Sequence, residues 1–479
     1  MLLKELLPEA GAGFSELDIT GVTCNSRKVK SGYAFVCIDG YTTDGHNFAK
    51  SALESGAAVI IAQRDLGLKN QILVDSTRIT YANMCAKWFD NPAKKLHLIG
   101  VTGTNGKTSV TYMLKTVLEQ AGHKVGLLGT IQNLIGDTVI DSHNTTPEAY
   151  ELNELFYEMV KSGCDYCVME VSSHALHQYR VCELPFEVAI FTNLTQDHLD
   201  YHKTMENYLQ AKKMLFRMCD TAVVNADDKY AAELISGLDC KIVACSIGNN
   251  GICSARAVKY RPDSVEYELL YGGKLNHIKV NTGGAFTVYN SMLAAAAALN
   301  CGVEVEDIKA AFLKMHGVKG RAEAVPTGRD FTVIIDYAHT PDGLKNIIST
   351  FKECERNRLI VLFGCGGDRD KTKRPIMGNI AARGADYVIV TSDNPRTEEP
   401  LAIIEDILEG TKGLSTPIKV IENRIEAINY AINMARAGDI IVLAGKGHET
   451  YQILKDKTIH LDEREVINEA LCSLRGESK

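Results

Sequence analysis

The 479-residue sequence lacks two features that would assign it to large classes of protein. It has no excess of basic residues, because 52 lysines and arginines against 60 aspartates and glutamates give a formal charge of −8. This charge disfavours nucleic acid and acidic membrane surfaces as main partners. It also has no uninterrupted apolar run of the roughly 18 residues that a membrane-spanning helix requires. The N-terminal segment contains acidic residues and no long apolar core, so we expect a cytoplasmic protein.

Closely spaced cysteines are also scarce, although the chain has 14 cysteines. Cys164 and Cys167 form the one close pair, and no second pair stands at zinc-finger spacing. We therefore expect reduced, partly buried thiols rather than a metal or redox centre, which is the less favoured alternative.

The length exceeds what one hydrophobic core normally supports, so several domains are expected. Connector-like composition at 89–97 and 316–330 predicts three of them. We place their boundaries at residues 1–90, 91–323 and 324–479.

The segment GVTGTNGKTS (100–109) resembles a phosphate-binding loop with one glycine displaced. In the usual G-x-x-x-x-G-K-[ST] pattern the first glycine would stand at position 101, which is Val101 here. A short apolar run, 96–101, precedes the loop, and apolar residues at helical spacing follow it from Val110 to Ala121. The loop therefore joins a strand to a helix N-terminus, where an anion such as a triphosphate is favoured.

Two side chains of this loop suit nucleotide chemistry. Lys107 would place its ammonium on the β- and γ-phosphates, and Thr108 would place its hydroxyl on Mg²⁺. A tight strand-to-helix turn without a nucleotide is the alternative.

Six further apolar runs end in polar, glycine-rich or charged residues. In doubly wound α/β sheets, ligands bind beyond the carboxyl ends of the strands. The polar tails are therefore candidate sites, and the runs are YCVMEV (166–171), EVAIFTNL (187–194), TVIIDYAH (332–339), RLIVLFGCGG (358–367), DYVIVTSDNPR (386–396) and DIIVLAGKGHE (439–449).

Several residues in these tails have both a functional and an ordinary interpretation. Glu170 could bind Mg²⁺ or cap the helix that follows it. The segment 192–202 contains His198 together with acidic residues and a second histidine, and such residues often only cap a helix. In the predicted helix 206–216, Lys212 shares a face with Tyr208, and Lys213 points about 100° away. Spacing alone gives Lys212 no role, because such a lysine usually extends to solvent.

The segment SDNPRTEEP (392–400) follows a predicted strand. Asp393, Asn394 and Arg396 would therefore stand at the ligand-binding edge, with Pro395 fixing the backbone between them. A capped turn before the next helix is the alternative.

Taken in order, eight segments resemble the Mur ligases of the MurE type, which are UDP-N-acetylmuramoyl-dipeptide amino-acid ligases. The resemblance extends from about residue 20 to 450 and lies in GVTGTNGKTS, NTTPEAYEL, MEVSSHAL, NLTQDHLDYH, DYAHTPDGL, GGDRD, DNPRTEEP and GKGHE. The family's phosphate loop has the shortened G-T-N-G-K-T form, so Val101 is no defect. The resemblance implies an α/β fold of three domains, with a central P-loop ATPase-like parallel sheet and a C-terminal Rossmann-like domain.

The resemblance also implies site residues. The ATP residues would be Gly103, Thr104, Asn105, Gly106, Lys107, Thr108, Ser109, Asn290, Arg321, Asp336 and His339. Those for the UDP-N-acetylmuramoyl-dipeptide would be Ser26, Arg27, Asp44, His46, Asn144, Thr145, Thr146, Ser172, Gln178 and Arg180. Those for the added amino acid would be Arg369, Asp393, Asn394, Pro395, Arg396, Gly445 and Glu449. The metal ligands would be Thr108, Glu170, His198 and Lys212, the last as a CO₂-derived carbamate, and the catalytic residues Lys107, Lys212, His198 and Glu170. One departure is Asn25, where family members usually have Asp.

The implied activity is an ADP-forming ligation through an acyl phosphate, with ATP and Mg²⁺ as cofactors, by a cytoplasmic monomer in peptidoglycan synthesis. In the family, D-N-P-R marks enzymes that add meso-diaminopimelate, whereas lysine-adding enzymes often have Ala at the position of Arg396. Addition of L-lysine is one alternative. A folylpolyglutamate-type ligase is disfavoured by the N-terminal domain and NTTP, and a nucleotide-driven switch or transport ATPase leaves DNPR and GKGHE unexplained.

Overall fold

The computed structural model describes residues 1–40, 43–248, 252–315 and 317–475, so His316 of the predicted connector lies outside the described residues. Helices and strands alternate over most of these ranges, and the predicted α/β class is confirmed. None of the helices over the described residues combines the length and apolar composition needed to cross a membrane. The fourteen cysteines all fall in the described ranges and none is in a disulfide, and Cys164 and Cys167 are buried.

The elements are numbered in chain order. Those before residue 97 are α1 (Leu3–Leu6), β1 (Gly21–Thr23), β2 (Tyr33–Val36), α2 (Ala49–Glu54), β3 (Val59–Ala62), β4 (Gln71–Leu73) and α3 (Thr77–Trp88). Short 3₁₀ turns span Ser26–Lys28, Gly45–Phe48 and Pro92–Lys95.

The central segment contains β5 (His97–Thr102), α4 (Lys107–Gln120), β6 (Val125–Leu128), β7 (Asn133–Ile135), β8 (Thr138–Ile140), α5 (Ala149–Lys161), β9 (Tyr166–Glu170), α6 (Ser173–His177), β10 (Phe186–Phe191), α7 (Leu199–His202), α8 (Met205–Phe216), β11 (Cys219–Asn225), α9 (Ala231–Ile235), β12 (Lys241–Ile247), β13 (Cys253–Tyr260), β14 (Val265–Tyr271), β15 (Lys274–Val280), α10 (Ala285–Asn300) and α11 (Val305–Lys314).

The last segment contains β16 (Glu323–Val325), β17 (Thr332–Asp336), α12 (Pro341–Lys352), β18 (Leu359–Phe363), α13 (Lys373–Gly384), β19 (Tyr387–Val390), α14 (Pro400–Glu409), β20 (Ile418–Val420), α15 (Arg424–Asn433), β21 (Ile440–Ala444), β22 (Tyr451–Ile453), β23 (Thr458–His460) and α16 (Glu463–Arg475).

Two compact units are formed, and the first comprises Met1–Gly103 and Ala121–Val243. It contains the all-parallel sheet β1-β2-β3-β4 and a larger sheet of order β11-β10-β5-β9-β6-β7-β8. Strands β11, β10, β5, β9 and β6 of the larger sheet are parallel, and every residue of β9 is buried. Such continuous apolar strands are typical of parallel sheets covered on both faces, so their polar residues collect at the carboxyl ends.

The second unit comprises Thr104–Gln120 and Ala244–Lys479. Helix α4 packs against α10 and α11, and β13, β14 and β15 form an antiparallel ribbon. The C-terminal sheet has the order β16-β17-β21-β18-β19-β20, in which all pairs except β16 with β17 are parallel. Strand β16 lies inside the stretch 316–330, which the sequence predicted as connector. That prediction is wrong for residues 323–325, because a three-residue strand is too short for an alternating pattern to be recognised.

Helices cover both faces of the C-terminal sheet. In β18, Leu359, Val361 and Phe363 pack in one apolar core, which also contains side chains of α12, α13 and α14. The intervening Ile360 and Leu362 pack in a second core with side chains of α15 and α16. This alternation gives the doubly wound architecture implied by the resemblance.

The buried ion pair of Arg424 and Glu463 ties this sheet to α16. Both side chains are fully buried, with Nη2 of Arg424 2.7 Å from Oε1 of Glu463. Arg424 also donates to the carbonyl oxygen of Ala444 at 2.9 Å and to that of Ser392 at 3.5 Å. One guanidinium therefore holds the carboxyl end of β21 and the residue that precedes Asp393.

We predict that Arg424→Met destabilises the C-terminal domain, because Glu463 would remain buried without its cation. Removal of one partner of a buried pair costs about 3–5 kcal/mol, equivalent to a fall in Tm of roughly 10 °C. Thermal unfolding followed by circular dichroism measures the change. The exposed Arg383→Met is the control and should leave Tm almost unchanged; equal Tm values for the two variants would contradict this role of Arg424.

Candidate active site

The displaced glycines of the phosphate loop lie where no Cβ atom would fit. Gly103 has a φ of +149°, and a Cβ atom there would lie 1.8 Å from Oγ1 of Thr192. Gly106 has a φ of +86°, and its Cβ atom would lie 2.6 Å from Oδ1 of Asn290. Both positions require glycine for conformation and space, whereas position 101 is the fully buried Val101 within β5.

Helix α4 begins at Lys107, so the backbone N–H groups of the loop lie at a helix N-terminus. The Lys107 ammonium donates to the carbonyl oxygen of Thr104 at 3.0 Å, and Thr108 is buried. Asn290, a predicted ATP residue, is buried on α10. A small cavity in the same unit brings two other predicted ATP residues, Ser109 and Arg321, to a common lining.

Asp336 ends β17 and accepts hydrogen bonds from two backbone N–H groups. Its Oδ2 is 2.7 Å from the nitrogen of Ala322, and its Oδ1 is 2.9 Å from that of Ala338. Burial raises the pKa of Asp336 above its ordinary value, although Arg321 and both N–H groups oppose the rise. The carboxylate thus fixes the start of β16 to the loop after β17.

Arg321 stacks on an aromatic side chain of the same loop. Its guanidinium carbon lies 5.0 Å from the ring centroid of Tyr337. His339 is exposed, and its Nδ1 donates to the carbonyl oxygen of Tyr337 at 2.8 Å. Arg321, Asp336 and His339, three of the predicted ATP residues, are therefore neighbours.

Glu170 ends β9 and is almost fully buried. Its two carboxylate oxygens accept from the backbone nitrogen of Thr130 at 2.9 Å and from Oγ1 of Thr130 at 3.0 Å. The helix-cap alternative is excluded, because Ser172 caps α6 through the backbone nitrogen of Ala175. Thr130, which follows β6, was missed by sequence reasoning, since nothing in its surroundings marks it.

Four of the residues predicted for the dipeptide substrate, Thr146, Ser172, Gln178 and Arg180, form one hydrogen-bond network in the first unit. Oγ1 of Thr146 donates to the carbonyl oxygen of Glu170 at 3.0 Å and accepts from the nitrogen of Ser172 at 3.0 Å. Arg180 donates to Oε1 of Gln178 at 2.6 Å and to the carbonyl oxygen of Thr146 at 3.1 Å.

Two more predicted dipeptide residues adjoin this network. Oγ1 of Thr145 lies 3.1 Å from Oγ1 of Thr130. Since the Thr130 hydroxyl donates to Glu170, Thr145 is the donor of this contact. The carbonyl oxygen of Asn144 accepts from Oγ of Ser142 at 3.1 Å, and the Asn144 side chain is exposed.

Lys212 is buried, not solvated. Helix α8 has the predicted register: Tyr208 and Lys212 are buried on one face, and the Lys212 ammonium lies 4.5 Å from the Tyr208 ring centroid. It donates to the carbonyl oxygen of Gly103 at 2.9 Å, next to the phosphate loop. Lys213 leaves the helix in another direction and donates to the carbonyl oxygen of Glu233 at 3.0 Å.

His198 lies in a cluster of aromatic side chains. It has a φ of +53°, its backbone nitrogen donates to Oδ1 of Asp197 at 2.8 Å, and its ring centroid is 4.9 Å from that of His174. Burial, followed by repulsion from His198, lowers the pKa of His174 to about 4, so His174 is neutral at pH 7. His198 does not cap α7 through its side chain.

The N-terminal residues predicted for the UDP end lie in two 3₁₀ turns. Asn25 caps the turn that contains Ser26, accepting from the nitrogen of Arg27 at 3.0 Å, as an Asp there would. In the other turn, Nε2 of His46 accepts from a backbone N–H group, so Nδ1 carries the proton and donates to Asp44 at 2.6 Å. Burial opposes ionisation of Asp44, but its contacts with Arg64 and His46 lower its pKa to about 2.

The residues predicted for the amino acid follow β18, β19 and β21, which are parallel neighbours in the C-terminal sheet. Asp393 and Asn394 are buried, and the helix after them is capped by no side chain, which removes the capped-turn alternative. Asn394 donates through Nδ2 to Oε2 of Glu449 at 2.9 Å. A Cβ atom on Gly445, whose φ is +115°, would lie 2.8 Å from Oδ2 of Asp393.

The loops after β18 and β19 are bound to each other. Nη1 of Arg396 donates to the carbonyl oxygen of Gly367 at 2.7 Å. In return, the backbone nitrogen of Gly367 donates to the carbonyl oxygen of Asn394, and Pro395 lies between Asn394 and Arg396 in the chain. Arg396 has a φ of +52°, which is a strained conformation for a residue with a side chain. Arg369 is exposed and donates to the carbonyl oxygen of Asp368 at 3.0 Å.

Two buried cations near these loops were missed by sequence reasoning. Arg374 donates to Glu398 at 2.9 and 3.1 Å and to Asp406 at 2.8 Å. Lys446 lies inside the GKGHE segment and is fully buried. Both types of residue are usually exposed, so only the partners distant in sequence indicate their burial.

Comparison with known proteins gives a consistent result over the whole chain. Family models match residues 18–94 ("Mur ligase family, catalytic domain"), 101–298 ("Mur ligase middle domain") and 320–447 ("Mur ligase, glutamate ligase domain"). The UDP-N-acetylmuramoyl-L-alanyl-D-glutamate--2,6-diaminopimelate ligase 1 of Clostridium acetobutylicum is 48% identical, with 99% of this chain and 100% of the relative covered. The corresponding ligase of Bacillus cereus is 44% identical, with 95% and 94% covered.

Solved structures agree with these relatives. A structure of UDP-N-acetylmuramoyl-L-alanyl-D-glutamate--2,6-diaminopimelate ligase has 31% identity and a TM-score of 0.76, with 99% of both chains covered. The MurF ligase of Thermotoga maritima in complex with ADP has 19% identity and a TM-score of 0.61, with 96% of this chain and 98% of that chain covered, and so supports the fold alone. With the phosphate loop, the buried lysine of α8 and the loops of the C-terminal sheet in place, the chain belongs to the Mur ligase family.

Proposed function

We propose that the chain is an ATP-dependent ligase that adds meso-diaminopimelate to UDP-N-acetylmuramoyl-L-alanyl-D-glutamate in peptidoglycan precursor synthesis. Full-length relatives of 43–48% identity with this activity in their names support the proposal. In it, the domains 1–90, 91–323 and 324–479 bind the UDP end, ATP and the amino acid, respectively.

The observation that best supports diaminopimelate is the presence of both signs of charge around the predicted amino-acid site. Asn394, which directly follows Asp393, donates through Nδ2 to Oε2 of Glu449 at 2.9 Å. Arg396 stands two residues after Asn394 in the same loop. The distal centre of diaminopimelate carries an ammonium and a carboxylate. Arg396 can pair with that carboxylate through two hydrogen bonds, and the acidic side chains can accept from the ammonium.

The first chemical step activates the D-glutamyl carboxylate, because the oxygen of a carboxylate is too poor a leaving group for direct amide formation. A carboxylate oxygen attacks the γ-phosphorus of ATP, the bond to the β,γ-bridging oxygen breaks, and ADP leaves. The acyl phosphate results. Lys107 and the N–H groups at the start of α4 stabilise the negative charge of the transferred group.

The second step forms the amide. The unprotonated amine of diaminopimelate attacks the acyl carbon, and inorganic phosphate leaves from the tetrahedral intermediate. No side chain needs to act as a nucleophile, so the protein contributes by positioning and electrostatics. Asp393, Asn394 and Glu449 would hold the far end of the amino acid while its near amine reacts.

Of the residues proposed for Mg²⁺, Thr108, Glu170 and a carbamate on Lys212 would offer the oxygen ligands that the ion prefers, whereas His198 would offer a nitrogen. Thr108, Glu170, His198 and a carbamate on Lys212 would hold it, directly or through waters. When bound, the ion supplies positive charge that neutralises phosphate oxygens. Carbamylation needs the neutral amine of Lys212 and converts a buried cation into an anion.

We predict that Lys107→Ala lowers kcat/KM about 10²- to 10³-fold, because the ammonium that stabilises the transferred phosphoryl group is lost. Release of ADP in the presence of all substrates measures the change. Lys95→Ala, an exposed lysine before β5, should retain wild-type activity. Near-normal activity of Lys107→Ala would contradict the phosphate-loop assignment.

We predict that Lys212→Ala is inactive and partly rescued by formate or acetate, because a small carboxylate can occupy the space of the missing carbamate. Lys213→Ala should be mild, since within the described part of the chain Lys213 donates to the surface carbonyl oxygens of Glu233 and Ser236. Activity of both variants is measured with and without added carboxylate. A greater loss in Lys213→Ala, or no rescue of Lys212→Ala, would contradict the carbamate.

We predict that the wild-type chain prefers meso-diaminopimelate to L-lysine by about a hundredfold in kcat/KM. Lysine would leave Arg396 without a carboxylate in a partly desolvated site, at a cost of about 3 kcal/mol. Arg396→Ala should lose most of this preference, whereas the exposed Arg383→Ala should keep it. Equal kcat/KM values for the two amino acids in the wild type, or an unchanged preference in Arg396→Ala, would contradict the proposal.

A further inference from the structure

Lys446 is a fully buried lysine in the loop after β21. Removal of an ammonium from water is costly, so such a side chain is stable only when its charge and its three N–H donors have partners. Its side chain therefore has a defined set of contacts, and those contacts indicate what it does.

The Lys446 ammonium contacts four groups in or next to the predicted amino-acid site. Nζ donates to the carbonyl oxygen of Tyr451 at 2.7 Å and to Oδ1 of Asn394 at 2.9 Å. It also lies 3.3 Å from Oε2 of Glu449 and 3.4 Å from Oδ1 of Asp393. Three of these four residues are those proposed to bind the added amino acid.

Lys446 and the backbone N–H of Ile453 together fix how the Asn394 amide is oriented. Oδ1 of Asn394 accepts from Lys446 and from the backbone nitrogen of Ile453, the latter at 2.9 Å. The amide nitrogen must then point the opposite way, where it donates to Oε2 of Glu449. Two donors, Nδ2 of Asn394 and Nζ of Lys446, therefore bind Oε2 of Glu449. Among the described residues, no hydrogen bond is made to the other oxygen, Oε1. That oxygen remains available to a ligand.

Lys446 also sets the charge of the cluster. Asp393 and Glu449 contribute two negative charges, and the single ammonium leaves a net charge of −1. That charge matches one ammonium group of an incoming ligand. With a neutral residue at position 446, the two carboxylates would lie together in a mostly buried site without the cation that compensates one of them.

We propose that Lys446 is a positioning residue for amino-acid selection: its buried ammonium orients Asn394 and Glu449 and cancels one carboxylate charge, so that the site binds one substrate ammonium. This inference rests on the proposed function. Lys446 need not touch the substrate, because it acts through the side chains that do.

A purely structural role would have a different consequence. Lys446 also anchors the hairpin of β22 and β23 through the carbonyl oxygen of Tyr451. If anchoring were its only role, its loss would lower Tm and the fraction of active enzyme, and would leave the KM of every substrate unchanged.

The test is steady-state kinetics of the full chain with Lys446→Met, with each of the three substrates varied in turn. The KM for diaminopimelate should rise about 10- to 100-fold, as expected when a buried polar network loses one member. The kcat should change by less than about threefold, and the KM values for ATP and the UDP-muramoyl-dipeptide should not change. Lys455→Met, an exposed lysine in the adjacent hairpin, is the control and should match the wild type.

Lys446→Gln provides a second variant if the Met variant folds poorly. Its amide can still donate to Asn394 and Tyr451 but has no charge, so the KM rise should persist with a smaller loss of Tm. In an Asn394→Ala background, the effect of Lys446→Met on this KM should shrink several-fold, because the two residues act as one network.

The outcomes separate the two proposals. If the wild type forms no product with diaminopimelate, the proposed function fails and this inference fails with it. If the wild type is active but both Lys446 variants keep its KM for diaminopimelate, or the effects of Lys446→Met and Asn394→Ala multiply independently, the inference alone is overturned.

Discussion

Burial of positive charge beneath the carboxyl edge of the C-terminal sheet is the constraint on which the amino-acid site depends. Arg374, Arg424 and Lys446 are 1%, 1% and 0% exposed. Each binds carbonyl or carboxylate oxygens of the loops that follow β18, β19 and β21. A buried cation holds such oxygens firmly, because separating them would leave the charge without compensation. These cations thus fix the positions of the three loops.

The phosphate loop is constrained differently, by space rather than by charge. Gly103 and Gly106 combine positive φ angles with neighbours that leave no room for a side chain. The backbone can therefore approach a ligand closely, and the N-terminus of α4 supplies oriented N–H groups. A rigid backbone cradle and a charged side-chain site are suited to the two halves of the proposed reaction, phosphoryl transfer and capture of an amine.

Much of this arrangement could be predicted from the sequence, because parallel strands buried on both faces are continuous apolar runs. The six runs with polar tails all contain strands, and several residues of the candidate site, such as Glu170, Asp336 and Asp393, lie in their tails. The register of α8 was also predictable, since the spacing of Tyr208 and Lys212 is helical. The burial of Lys212 was not, because it depends on Gly103, more than a hundred residues away.

The remaining features depend on contacts that no local pattern encodes. Strand β16 is too short to show periodicity, and Thr130 binds Glu170 across 40 residues of sequence. Lys446 stands inside a recognised segment, yet its role becomes apparent only from Asn394, 52 residues earlier. Buried charges are the least predictable part of the site, because a lysine or arginine is usually exposed. Where one is buried, the partners that compensate its charge are distant in sequence.

The central claim is that the chain joins diaminopimelate to the D-glutamyl carboxylate at the expense of ATP. Mass spectrometry of the nucleotide-sugar product tests it most directly, after incubation with ATP, Mg²⁺, UDP-N-acetylmuramoyl-L-alanyl-D-glutamate and an equal mixture of meso-diaminopimelate and L-lysine. The account predicts a single new species, heavier than the substrate by diaminopimelate less one water. A species that contains lysine instead, or ADP formation without any new amide, would contradict it.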